Sequence, residues 1–293
     1  MQITKPGIYQ MDLAAYIADP APLPSLNASA AHTLLEQSPR HAWYRSPRLN
    51  PNHEREDSSR LDLGTIAHAL LLEDDSSRVV VVDAEDWRTK AAKEERDNAR
   101  LLGQLPILKQ DHQSVLEMVG IARDAIAKSE LAEPFADGIP EQTLIWETQG
   151  VWCRSRPDKA SRDWRVLFDY KTAAGSAHPS AWGRSAIVRF GYDIQAQLAI
   201  QGVECLCDPR DCRFVFIVQE IEPPYAVSFV SLSPAWLALA NEKLHLAMSL
   251  WKGCVRTGEW PALSPRVAYL EPPAYASMDW ADYLPDISAE DFV

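Results

Sequence analysis

Residues 151–171, VWCRSRPDKASRDWRVLFDYK, decide how this sequence is read. Two apolar, strand-like runs, 151–156 and 166–169, flank a polar turn at 160–163. The first run ends in Arg156-Pro157-Asp158 and the second in Asp169-Tyr170-Lys171. Strand side chains alternate with period two, so Asp169 and Lys171 project from one face. If the two runs pair, Asp158 meets Asp169 there. Two carboxylates and an amine on one small surface suit divalent-metal chemistry on a phosphodiester.

Outward from this stretch the pattern stays α/β. Residues 143–146 form a preceding strand, with Gln149-Gly150 as the turn. A helix is expected over about 180–205, then strands at 214–218 and 226–231 separated by Pro223-Pro224. Pro234 opens a last long helix through about 255, and the tail from Pro261 carries five prolines. Upstream, 1–60 reads as an irregular lead-in with one helix, capped by Asn27 or Ser29 and stopped at Ser38-Pro39. Residues 61–72 read as an apolar helix in which His68 shares a face with Gly64, Thr65, Leu71 and Leu72. Residues 79–82 form a short strand, 84–104 a charged helical segment, and 111–128 an amphipathic helix. The order predicts an α/β core, a central mixed β-sheet flanked by helices. One domain over 1–293 is expected: the lead-in at 1–60, a core at 61–232, and a closing helix and tail at 233–293.

Composition narrows the function. The chain has 293 residues, 46% of them hydrophobic, enough for a substantial core. Its net charge is 29 − 41 = −12, which argues against passive coating of nucleic acid but not against a basic track on an acidic body. No apolar run approaches the ~20 residues of a membrane span, and Met1-Gln2-Ile3-Thr4-Lys5-Pro6 lacks a signal-peptide layout. A cytoplasmic location with reduced thiols is expected. Of the five cysteines, Cys205, Cys207 and Cys212 cluster, but without the paired spacing of a closed metal site.

The chemistry follows from the donors. Magnesium prefers oxygen ligands, which Asp158, Asp169 and the carbonyl of Tyr170 supply. Lys171 would orient the attacking water and stabilise developing negative charge. His68 could ligate a second metal, which manganese tolerates more readily than magnesium. In the helix that follows, Tyr192 and Gln195 share a face, and a glutamine amide there can donate to a phosphate or hold a water. Arg154, Arg156, Arg184 and Arg189 lie near these residues in sequence, and parity puts Arg154 and Arg156 on the strand face of Asp158, as candidate DNA contacts.

These residues converge on a family. The chain resembles the PDDEXK nucleases, and within them the RecE-type and RecB-like exonucleases, including phage recombination exonucleases. The resemblance rests on Gly64-Thr65-Ile66-Ala67-His68 leading to Glu73, on Arg156-Pro157-Asp158, on Asp169-Tyr170-Lys171-Thr172, and on Gly191-Tyr192 with Gln195. It extends to Gly7-Ile8-Tyr9, Ser38-Pro39, Glu141 before Trp146, and the set Trp251, Cys254, Gly258 and Trp260-Pro261.

The resemblance implies that His68, Asp158 and Asp169 are metal ligands, Lys171 the catalytic lysine, and Gln195 the glutamine of the helix motif. Glu141 and Glu73 would be auxiliary acids, and Tyr192 a DNA contact. Relatives often carry a tyrosine four residues after this glutamine, where this chain has Ala199. The implied activity is a magnesium-dependent exonuclease, with manganese able to substitute. Its substrate would be double-stranded DNA ends, degraded to single strands for a single-strand annealing recombination protein. A homo-oligomeric ring occurs among relatives. Two other readings stand beside it: a RecB-like accessory nuclease with an iron–sulfur cluster, and a non-catalytic DNA-end-binding protein of the same fold.

Overall fold

A computed structural model describes residues 3–53, 63–73, 76–207 and 211–273. The chain opens with β1 (Gly7–Gln10), α1 (Leu13–Ile17), α2 (Ala28–Glu36) and α3 (Pro39–Tyr44). Asn27 caps α2 by accepting from Ala30 N at 2.8 Å, and Ser38 caps α3 ahead of Pro39. Next come α4 (Leu63–His68), which continues through a π-helical turn over Ala69–Glu73, β2 (Val79–Val82) and α5 (Lys90–Leu101). β3 (Leu105–Leu108), α6 (Lys109–Ala127) and α7 (Ala132–Ala136) lead into the centre. There β4 (Ile139–Pro140), β5 (Gln142–Thr148), β6 (Val151–Ser155), β7 (Lys159–Ala160) and β8 (Val166–Ala173) follow one another. A helical stretch of α8 (Pro179–Trp182), a π-turn at Gly183–Ile187 and α9 (Val188–Phe190) precedes α10 (Tyr192–Cys207), β9 (Arg213–Glu220), β10 (Val227–Ser231) and α11 (Pro234–Thr257).

The quoted stretch divides between two sheets. β5 and β6 pair antiparallel and join β1 in a three-stranded sheet, while β4 and β7 pair in a five-stranded sheet of order β10-β9-β8-β7-β4. One hairpin therefore bends out of the central sheet. The bend falls at Glu141, with φ +54°, on one arm and at Arg156-Pro157-Asp158 on the other, and Glu141 N donates to Asp158 O at 2.9 Å across it. Pro157 lacks the N–H that a continuous ladder would need.

β7 holds β8 for only two residue pairs, Lys159 with Phe168 and Ala160 with Leu167. β8 runs on beside β9 in parallel to Ala173. One edge of β8 is thus released from pairing at Asp169, and the functional stretch lies along that edge rather than at a strand end as the sequence pattern suggests. Leu167 joins the core on the side of α2, α10 and α11, whereas Phe168 and Tyr170 join the core on the side of α4 and α6. Leu167, Phe168, Phe214 and Phe216 are almost wholly buried, each stabilising by roughly 1.5–3 kcal/mol.

The helix expected over 180–205 is broken. Gly191, at φ +68°, ends α9 in the left-handed region and restarts the chain as α10 at Tyr192. The lead-in holds three helices and a strand rather than one helix, and the helix at His68 is completed by a π-turn. Residues Met1–Pro261 form one compact unit carrying every described helix and strand; the described part of the second unit, Ala262–Val293, has neither. Among the described residues no helix is long and apolar enough to cross a membrane.

Candidate active site

The register of β7 on β8, carried one residue past Lys159 and Phe168, sets Asp158 opposite Asp169. Asp158 Oδ2 accepts from Tyr170 N at 2.7 Å, and Oδ1 lies 3.1 Å from His68 Nε2. Asp169, only 2% exposed, is bracketed on both oxygens: Gln195 Nε2 donates to Oδ2 at 2.5 Å and the Lys171 ammonium ion-pairs with Oδ1. Lys171 Nζ also sits 4.8 Å from the centroid of the Tyr192 ring. Four elements converge here: α4 brings His68, the hairpin bend Asp158, β8 Asp169 and Lys171, and the first turn of α10 Tyr192 and Gln195.

Electrostatics separate the two carboxyls. Burial and the charge of Asp158 push Asp169 up to about 6. Burial alone would also raise Asp158, but the His68 ring and the Lys171 ammonium hold it below the ordinary carboxylate range. Burial would lower Lys171 and His68; the carboxylates outweigh it, so both are held above their ordinary values. The Lys171 ammonium, and the His68 ring when protonated, thus compensate a buried acid pair.

The Tyr170 side chain points away from this site. Its hydroxyl donates to Gln219 Oε1 at 2.7 Å, and Gln219 Nε2 donates to the carbonyls of Met118 and Tyr225. This closed network fixes the residue whose backbone N–H holds Asp158. A strand residue's N–H and C=O point to the same side, so the Tyr170 carbonyl faces the released edge as well.

Several residues lie elsewhere than sequence parity suggests. Arg156 turns inward at the Pro157 bend, 7% exposed at its side chain, pairing with Glu141 and donating to Met11 O. Arg154 is also buried, donating to Ser25 O and Oγ at 2.6 and 2.8 Å and lying 3.4 Å from Asp19. Both tie the N-terminal segment to the hairpin; Arg154 is buried, and Arg156 forms part of the wall of the cavity beside Lys171 and Gln195. Glu141 is engaged by Arg156, and its charge also acts on His68. Arg184 and Arg189 are exposed and make no ion pair among the described residues. Glu73 ends the π-turn after His68, and its side chain lies outside the described residues. Ala199 is fully buried in the core, and the aromatic ring near Lys171 belongs to Tyr192 instead.

Two features were not read from the sequence. Asp193, fully buried, pairs with Lys243 of α11 at 2.6 Å and pins the start of α10. A cavity of about 440 Å³ opens beside Lys171 and Gln195, bordered by His32, Arg45, Ser155 and Phe190. Only long-range packing brings α2, β6 and α9 together around it, so no local motif announces it. A cavity of about 350 Å³ flanks Lys171 on the side of His68. The larger one, about 540 Å³, lies far along the strands by Val166 and Arg213, away from the carboxylates.

Among the described residues, no three His, Cys, Asp or Glu side chains gather as a ready-made ion cage. The donor set nevertheless fits a divalent cation. It offers two facing carboxylates of which one is pushed up by its neighbour, the Tyr170 carbonyl, and an imidazole. The cysteines are all free thiols.

Comparison with known proteins bears on the family and the fold. No curated protein matches the sequence. Among solved structures the chain is similar to a proposed exonuclease from Eubacterium rectale, at 12% identity over 92% of this chain and 98% of that one, with a TM-score of 0.56. At that identity the likeness is one of fold. An alkaline exonuclease from Laribacter hongkongensis also matches, at 14% identity over 75% of this chain and 100% of that one, but its TM-score of 0.27 carries no weight for the site. The family model described as a PDDEXK-like domain of unknown function (DUF3799) matches residues 32–273, and the chain belongs to that family.

Proposed function

We propose that the chain is a metal-dependent exonuclease that hydrolyses phosphodiester bonds from the ends of duplex DNA. It would leave single strands for a recombination or annealing partner. The PDDEXK-like family supports a nuclease, and one observation carries the reading to this chain's own residues: Lys171 and Gln195 clasp the two oxygens of a buried Asp169 that faces Asp158. A module that only bound DNA ends would gain nothing from a buried, mutually repelling acid pair, which costs stability.

Asp158, Asp169, the Tyr170 carbonyl and His68 would hold magnesium or manganese. When bound, the ion neutralises phosphate charge and makes water a better nucleophile. Displaced from Asp169, the Lys171 ammonium can turn to the scissile phosphate, orient the water and stabilise the added negative charge. Gln195 keeps Asp169 in place through its amide, and the Tyr170 N–H does the same for Asp158. Hydrolysis adds water at phosphorus, breaks one P–O bond, and returns a proton to the leaving oxygen.

End-labelled linear duplex and closed circular duplex, each incubated with EDTA and then with Mg2+ or Mn2+, test the proposal. Degradation of the linear form alone, and only with metal, is expected. A purified protein inert on linear duplex with either metal overturns the reading, and equal attack on circles overturns its end dependence.

A further inference from the structure

The apolar groups exposed near the site are not evenly spread. Phe190, the last residue of α9, is 53% exposed and borders the cavity that holds Lys171 and Gln195. Its ring lies 5.5 Å from Tyr192, which in turn stacks on buried Trp182 at 5.5 Å and 17°. The aromatic run thus leads from the core to solvent at the mouth of the site. The exposed Arg189 guanidinium lies 5.3 Å over the Phe190 ring. Arg184, on the preceding π-turn, is a second exposed cation. No acidic residue borders this cavity among the described residues, in a chain whose net charge is −12.

An exposed phenylalanine taken alone is ordinary. Here position, charge and chemistry coincide. A phosphodiester at Lys171 carries a base on each side, and a base is a flat π-surface. An aromatic ring with neighbouring arginines is the surface that single-stranded nucleic acid uses for stacking and backbone contact. A base stacked inside a duplex has no free face to offer. On the nuclease reading given above, we infer that Phe190 is a stacking platform for an unpaired base next to the scissile phosphate. Arg189 and Arg184 steer the phosphates of that strand. The preferred ligand is then a frayed or overhanging end, with the duplex arriving behind it.

Gly191 supports this placement. Its φ of +68° reverses the chain directly after Phe190, so that Phe190 and Tyr192 stand on either side of one turn. With more than half its surface in solvent, Phe190 contributes little to folding, so its substitution isolates its role at the site.

The test is duplex DNA with 2-aminopurine at the terminal positions, bound in Ca2+ to Lys171→Ala protein, which leaves the DNA intact. Stacking on Phe190 changes 2-aminopurine fluorescence on binding. Adding Phe190→Ala is expected to remove that change and to weaken binding of overhang-ended DNA about tenfold. Phe190→Trp is expected to keep both, and Phe190→Leu, which retains bulk without a π-face, to lose both. Circular dichroism melts of each variant check folding. A folded Lys171→Ala/Phe190→Ala protein that keeps the fluorescence change and binds overhang-ended DNA as tightly as Lys171→Ala overturns the inference. If the protein with Lys171 in place cleaves no DNA, the nuclease reading falls by that result, and the fluorescence change still decides for or against Phe190.

Discussion

Lys171 is the residue on which the chemistry turns, because it contacts Asp169 now and lies within reach of the cavity beside it. Truncating it to alanine removes a positioned cation and should lower cleavage by about 10²–10³-fold. DNA affinity measured by anisotropy in Ca2+ should change by only a few-fold, and bound metal measured by calorimetry should remain. Loss of metal binding would mean that the ammonium organises the carboxylates rather than the reaction. At this scale the sequence was informative where chemistry is local. Asp169 and Lys171 are legible because strand alternation puts them on one face; Asp158 meets them through the two-residue β7, since the two apolar runs lie in different sheets and do not pair as expected. Parity with Asp158 does not carry over to Arg154 and Arg156, because alternation holds only while a strand is straight and Pro157 bends it: Arg154 is buried, and Arg156 pairs with Glu141 while lining the cavity.

The elements show the same division. β5, β6, β8, β9 and β10 could be read because each carries an apolar run bounded by turn residues. β4 and β7, at two residues each, carry no periodicity, though they bring Asp158 to Asp169. The break between α9 and α10 was also hidden, since helical composition runs through 180–205 and only Gly191 marks it. That glycine is expected to be intolerant of substitution. A Cβ there would meet His32 Cδ2 at 2.5 Å, and a side chain at φ +68° is itself strained. Gly191→Ala should therefore cost about 1–3 kcal/mol in urea unfolding. It should also reduce cleavage beyond what the folded fraction explains, because the turn sets Tyr192 and Gln195 against Lys171 and Asp169. A variant with unaltered stability and activity would show that α2 and α10 yield to one another freely.

For the molecule as a whole, the buried acid pair links stability, pH and metal. Asp169 is pushed up to about 6 from an ordinary 3.8, so its ionised form destabilises the fold, and that penalty begins to lift as pH falls through about 6 and is gone only below 3.8. His68 is held above 6.5, so its proton contributes stability that is present below its unfolded value and lost as pH rises through the folded one. Asp158 is held low, and its contribution is lost only in more acid solution, leaving it constant between about pH 5 and 8. The two groups that titrate in that window act in the same direction: metal-free protein should melt higher near pH 5.5 than near pH 8. Falling net charge acts the same way across the whole surface, so the informative quantity is the difference from Asp169→Asn, which should flatten the profile. Magnesium competes with protons for the same oxygens. At a hundredfold excess over its dissociation constant it should add about 2.7 kcal/mol, a shift of several degrees. That shift should be larger near pH 8 than near pH 5.5, and absent in Asp169→Asn. Thermal melts in EDTA and in Mg2+ across this range decide the matter. A magnesium shift that survives in Asp169→Asn would place the ion somewhere other than between Asp158 and Asp169.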